Sequence, residues 1–317
     1  MLPDNRSFLL FFADYAKRSG FKRTLKSLAR QIKPENLLDD YLAIKGICDG
    51  RKAFKGPLAV QIDLTDNCNN DCLCCWCNSP LVRKADPVKI PGYLDPALVL
   101  RTIDELKEMG VREITLSGGG EPFTYPHLFD IVKHIKDRRI RCQLYTNFTL
   151  VTEGSIDDLV DLKLDLLVVS LWAGNPKTYH LLHPNKKEGC FDEIRNRLIY
   201  LSGAKKKKGM PLVRIHNVIN ALNYNELSQM ADFARQVKSD EVSFCVMDSV
   251  AVMTDTLLLN DEQRRTVLDN LGRLDKKAPV LYGEEEFIRR VSCEGAVSGN
   301  YDEGIAEETP CYSGWLF

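Results

Sequence analysis

Five of the eleven cysteines in this 317-residue chain fall between residues 68 and 77: Cys68, Cys72, Cys74, Cys75 and Cys77. Thiols so close in sequence make a poor disulfide framework, whereas a local group of them in a reducing compartment reads as metal binding. Cys68, Cys72 and Cys75, spaced by four and then three, can wrap one iron–sulfur cube from a single loop. The irons of such a cube ordinarily take one cysteine each, four in all. Three ligands leave one iron with an open position, which is what a catalytic metal requires. Other readings of the same residues stand beside this one. Cys74 and Cys77 offer a second ligand register. A closed iron–sulfur or zinc site over Cys72, Cys75 and their neighbours would serve structure or electron transfer instead.

The second group with chemical use is Ser117-Gly118-Gly119-Gly120-Glu121-Pro122. Without a Cβ, glycine lets the backbone approach a ligand closely. Glu121 beside the run supplies a carboxylate able to accept hydrogen bonds from an ammonium group. No Lys-Ser/Thr pair follows, which disfavours a phosphate cradle.

Both groups need a frame, and the chain alternates strand-like and helical runs from residue 58 onward, the pattern of βα units around a parallel sheet. Strands are expected over 58–64, 111–117, 140–146, 165–171, 212–218 and 241–247. Helices are expected over 96–109, 128–137, 155–162, 191–201, 225–238 and 262–274. The cysteines follow the first strand and the glycine run follows the second, at the end of the sheet where such folds build their sites. Six units fall short of the eight that close a barrel, so the expected fold is α/β, an open or partial (βα)6 TIM-like barrel. A flat doubly wound sheet is the alternative. The expected divisions are a helical N-terminal extension over 1–56, the barrel over 57–278 and a C-terminal extension over 279–317, with a short strand at 280–283 and a helix at 284–291. Lys205 to Lys208 read as a solvated helix end. Cys48, Cys142, Cys190 and Cys245 read as small buried hydrophobes.

In this order and topology the two motifs resemble the radical SAM superfamily, which carries CxxxCxxC after the first strand of a partial barrel and a Gly-Gly-Glu motif after the second. The resemblance runs from about Leu58 to Val250. It implies that Cys68, Cys72 and Cys75 hold a 4Fe–4S cluster whose fourth iron is chelated by S-adenosyl-L-methionine (SAM). Gly119, Gly120 and Glu121 would hold the SAM ammonium. One electron through the cluster would then cleave SAM to a 5′-deoxyadenosyl radical that abstracts hydrogen from a substrate. Asn147, in Thr146-Asn147 at the end of the third strand, Ser170 at the end of the fourth and Arg214 on the fifth are further SAM-site candidates. The chain departs from the family pattern at Cys74, where an aromatic residue is usual and whose packing Trp76 is a candidate to replace, and at Phe148, where glycine often follows Thr-Asn.

A net charge of −1 gives no support to nucleic-acid or anionic-membrane binding through bulk electrostatics. The apolar stretch Ser7 to Phe12 is too short to span a bilayer and does not read as a signal peptide. A cytoplasmic enzyme is expected, served by a low-potential electron donor of flavodoxin or ferredoxin type. Cys311 in Pro310-Cys311-Tyr312-Ser313-Gly314-Trp315 resembles the opening of a SPASM extension, which carries auxiliary clusters, and implies a truncated domain. Through that likeness the expected substrate is a peptide or protein, with a small molecule second.

Overall fold

The computed structural model describes residues 51–83, 92–275 and 279–301, with isolated positions between 38 and 49. Expectations for most of the N-terminal extension, for Cys48 and for the Cys311 tail lie outside the described residues.

Seven strands form one sheet, and every neighbouring pair is parallel in the order of the sequence. They are β1 (Ala59–Asp63), β2 (Glu113–Ser117), β3 (Arg141–Thr146), β4 (Leu166–Ser170), β5 (Leu212–Ile219), β6 (Glu241–Val246) and β7 (Val280–Tyr282). Strand order never reverses, which removes the doubly wound alternative, since that fold needs a switch point. The sheet is an open, partial barrel. It also runs one strand beyond the six βα units expected: the short run after residue 279 pairs with β6 through Val280 to Tyr282.

Helices α1 (Pro96–Glu108), α2 (Leu128–Asp137) and α3 (Glu153–Asp161) follow the first three strands. After β4 come α4 (Pro176–Leu182) and α5 (Cys190–Ala204), then α6 (Leu227–Gln236), α7 (Asp261–Gly272) and α8 (Glu284–Ser292). Sequence periodicity does not reveal α4, which has only two turns. It starts where Asn175 caps the amide of Thr178 at 3.0 Å and Pro176 presets the first φ. In α2 the residues Leu128, Ile131, Val132 and Ile135 lie on one stripe and all are buried. They meet the helix-facing side of the sheet, where alternation places Ile114, Leu116, Leu144, Val169 and Ile215 in the core.

The other face is concave and polar. On β5 and β6, alternation sends Val213, Ile215, Val242, Phe244 and Val246 to the core and leaves Arg214, His216, Glu241, Ser243 and Cys245 lining the lumen.

Two aspartates lock the strand beginnings. Asp165, just before β4, accepts the Cys142 amide at 2.8 Å and pairs with Lys136. Asp240, just before β6, accepts the Val213 amide at 2.7 Å and pairs with Lys205. Lys205 is therefore no solvated helix end: it is buried, and its ammonium also donates to the Pro211 carbonyl at 3.1 Å. Lys206 and Lys208 keep the expected surface character, Lys208 pairing with Asp161. Removing one member of a buried pair strands the other charge. Asp240→Ala should cost about 3 kcal/mol in urea unfolding, and adding Lys205→Met should restore part of it.

Candidate active site

The site is built from the loops that leave β1, β2, β3 and β4 at their C-terminal ends. The β1 loop carries the cysteines, and its intervening residues fasten it to the other three. The Asn67 carbonyl accepts the Glu121 amide at 2.7 Å and the Thr124 hydroxyl at 3.1 Å. Asn69 donates its side-chain amide to Thr149 Oγ1 at 2.7 Å and accepts from Asn147 Nδ2 at 2.9 Å. The Asn69 carbonyl accepts from Asn185 Nδ2 and from the Lys186 ammonium. Asp71 accepts the Asn185 amide at 3.0 Å, and the Leu73 amide donates to the Leu182 carbonyl at 2.9 Å.

The odd-numbered residues between Cys68, Cys72 and Cys75 thus hold the loop, which leaves the thiols to face one another. Burial raises the pKa of Cys68 and, more strongly, of Cys72, and each is raised further by its neighbours: Cys75 and Cys68 act on Cys72, and Cys75 acts on Cys68. Backbone amides point at two of the sulfurs, Asn70 N to Cys68 Sγ at 3.4 Å and Asn78 N to Cys75 Sγ at 3.2 Å. Among the described residues, no three His, Cys, Asp or Glu side chains converge on a single-ion site. A cube asks for less, since each thiolate binds a different iron and the three need only border one volume. This donor set fits a 4Fe–4S cluster.

Cys74 turns away from that group. It is buried with Leu182, Met247 and Leu257 beneath the loop. Cys77 donates to the Gly119 carbonyl at 3.1 Å and lies 3.6 Å from Cys75 Sγ. Trp76 is largely exposed.

The glycine run meets protein rather than open space. A Cβ on Gly120 would lie 2.1 Å from the Asn67 carbonyl oxygen, and one on Gly118, whose φ is +123°, would lie 2.2 Å from Asp63 Cγ. These glycines exist so that the cysteine loop can lie directly on the β2 turn. Glu121 follows, buried, with Oε1 accepting from Thr146 Oγ1 at 2.6 Å and Phe123 N at 3.2 Å, and Oε2 from Asn147 N at 2.7 Å. Burial pushes its carboxyl up to about 7 against the pull of those three donors.

Asn147 joins both systems, through Glu121 and through Asn69, and its own Oδ1 accepts from Thr149 N and Oγ1. Ser170 ends β4 beside His216 of β5 in the same register row. Arg214 is not brought to this end. It lies two residues nearer the strand start, bonded to Glu241 Oε2 at 2.7 Å with its guanidinium 3.4 Å from the Tyr282 ring centroid. Sequence reasoning missed Asn69, Asn185 and Lys186; the available signals were the polar spacers between the cysteines and the His183-Pro184-Asn185-Lys186 turn after α4.

The profile of the Radical SAM superfamily matches residues 62–234, more than half of the chain. An AdoMet-dependent heme synthase of Methanosarcina barkeri is 27% identical over 184 residues, covering 57% of this chain and 48% of that protein. A PqqA peptide cyclase of Methylocella silvestris is 28% identical over 178 residues, covering 56% and 44%. The chain thus spans about half the length of these relatives. Among solved structures, Streptococcus suis SuiB bound to S-adenosylmethionine superposes with a TM-score of 0.60 at 18% identity, over 86% of this chain and 60% of that one. At that identity the likeness is one of fold.

Phe148 occupies the position after Thr-Asn with φ +62°, a left-handed backbone that costs a side-chain-bearing residue about 1–2 kcal/mol, and its ring is fully buried. Packing therefore holds a conformation that glycine would take freely. Phe148→Ala should lose about 3–5 kcal/mol. Phe148→Gly, although smaller still, should be the more stable of the two by about 1 kcal/mol in chemical denaturation.

Proposed function

The chain belongs to the radical SAM superfamily, and from that premise we propose that it holds a 4Fe–4S cluster on Cys68, Cys72 and Cys75, binds SAM at the cluster's open iron, and removes hydrogen from a peptide or protein substrate. It is an enzyme. The observation that carries the reading is the grouping of those three thiols at the mouth of the partial barrel, with Cys74 buried apart from them and Cys77 bonded to the Gly119 carbonyl. When bound, the cluster and SAM supply a 5′-deoxyadenosyl radical able to abstract hydrogen.

The chain's own residues supply ligation, aim and shelter. The thiols of Cys68 and Cys72, raised in pKa by burial, must lose their protons on cluster loading, so assembly releases protons and weakens as the medium turns acidic. The amides of Asn70 and Asn78 then donate to sulfur that has become more electron-rich. Gly119, Gly120 and Glu121 set the turn against which the SAM amino acid would rest. A carboxylate offers about four acceptor positions, and three of those on Glu121 are filled by protein donors. The fourth, on Oε2, suits the SAM ammonium, whose charge would draw the raised pKa back down. Asn147 and Ser170 border the same mouth. Lys186, whose charge acts on both Cys68 and Glu121, adds positive potential beside an electron-rich cluster.

The peptide or protein substrate rests on analogy with the PqqA peptide cyclase and with SuiB, solved with its precursor peptide SuiA. A low-potential donor of flavodoxin or ferredoxin type in the cytoplasm would supply the electron. Among the described residues, no helix is long and apolar enough to cross a membrane.

Anaerobic reconstitution with iron and sulfide should give about four irons per chain from the described domain. Cys68→Ala, Cys72→Ala and Cys75→Ala should each lose the cluster, whereas Cys142→Ala should keep it. A full cluster in Cys68→Ala would overturn the assignment.

A further inference from the structure

A second reactive group lies in the lumen, outside the ligand set. Cys245, on the concave face near the end of β6, places its sulfur 3.4 Å from His216 Nε2, and the other ring nitrogen of His216 lies 2.9 Å from Ser243 Oγ. The strand registers explain the grouping. Ser170, His216 and Ser243 are lateral neighbours on β4, β5 and β6, and Cys245 stands one step further toward the mouth, opposite Val218. It is half-buried, and it lies within electrostatic reach of Cys74, the neighbour of ligand Cys75. The thiol therefore sits at the same end of the barrel as the cluster loop, and Cys245 is not the inert core residue its apolar sequence neighbours suggest.

Its protonation state decides what it can do. A nucleophilic cysteine needs a thiolate, and a histidine partner ordinarily supplies one by taking the proton. Here burial pushes the Cys245 thiol up to about 12 and, with help from the Arg214 charge, holds His216 down to about 4. Both groups are neutral. In one tautomer the thiol donates to Nε2; in the other Nε2–H donates to sulfur and leaves S–H directed at the lumen. Either way the sulfur keeps its hydrogen, which makes it a poor nucleophile and a ready source of a hydrogen atom.

Resting on the function proposed above, we infer that Cys245 gives a hydrogen atom to a carbon-centred radical in the lumen, with His216 as its positioning residue. The S–H bond breaks and a C–H bond forms, leaving a closed-shell product and a thiyl radical on Cys245. One electron from the low-potential one-electron donor and one proton from solvent restore the thiol. The substrate class follows: one whose C–H bond is broken and remade with no net oxidation, as in inversion at a carbon centre.

SAM alone is a sufficient probe. Reconstituted protein is given SAM and dithionite in heavy water with no other substrate, and the isotope content of each released 5′-deoxyadenosine molecule is read by mass spectrometry. Carbon-bound hydrogens of the protein do not exchange, whereas S–H does, so deuterium in the nucleoside reports a thiol donor. Wild type should show it and Cys245→Ser should show several-fold less per molecule, whatever the rates. Equal deuterium in the two proteins would overturn the inference alone. Absence of any nucleoside from wild type would instead overturn the function proposed above, and this inference with it. In the protein without cluster, the Raman S–H band lost in Cys245→Ala should be present at neutral pH and shift in His216→Ala. An absent or unmoved band would also overturn it.

Discussion

The contact on which the site depends is between two backbones: the Asn67 carbonyl lies against Gly120 and accepts the next amide, that of Glu121, at 2.7 Å. There is no room there for a Cβ, which would stand 2.1 Å from that oxygen. This close approach lays the cysteine loop flat on the β2 turn, and everything further along the loop inherits its position. A larger residue at 120 would push the loop away before any question of ligand binding arose. The neighbouring Gly118 is constrained from the other side, by Asp63 at the end of β1 and by its own left-handed φ.

From that contact the polar side chains extend the fixation loop by loop. Glu121 reaches β3 through Thr146 and Asn147, Asn147 returns to Asn69 in the cysteine loop, and Asn185 and Lys186 close over it from the β4 side. Buried polar networks of this kind are stabilising only when their members are satisfied, and the Glu121 carboxylate meets that condition with three donors. The result is pre-organisation. The thiols are grouped in the protein alone, at the cost of burying Cys68 and Cys72, and metal binding would recover that cost by replacing protons with iron.

Much of the frame was legible in the sequence because parallel strands buried on both faces or nearly so read as apolar, β-branched runs. The run Leu166 to Ser170 and the 128–137 helix stand where periodicity put them. The cysteine spacing and the glycine run were legible for a different reason, since both are local in sequence. What escaped notice depends on partners far along the chain. Lys205 looked like part of a solvated run until Asp240 was seen to face it. Cys245 looked like a core residue because its sequence neighbours are apolar. Its function turns on which face of β6 it occupies and on the register that brings His216 beside it, and neither is written in the local pattern. Arg214 stands two residues nearer the strand start than His216, one layer of the lumen away from Ser170, and that offset along β5 is not written in the local pattern. The short α4 and the pairing of β7 were hidden by length alone.

The proposed holding of a cluster by three thiols, with one iron left open for SAM, is tested most directly by electron paramagnetic resonance of the reduced, reconstituted protein with and without SAM. Coordination of SAM to the open iron changes the ligand field at one corner of the cube, so the signal should shift and change shape when SAM is added, and S-adenosylhomocysteine should compete for the same position. A reduced cluster whose spectrum is identical in the presence and absence of saturating SAM would contradict the account, because it would mean that the fourth iron is already closed.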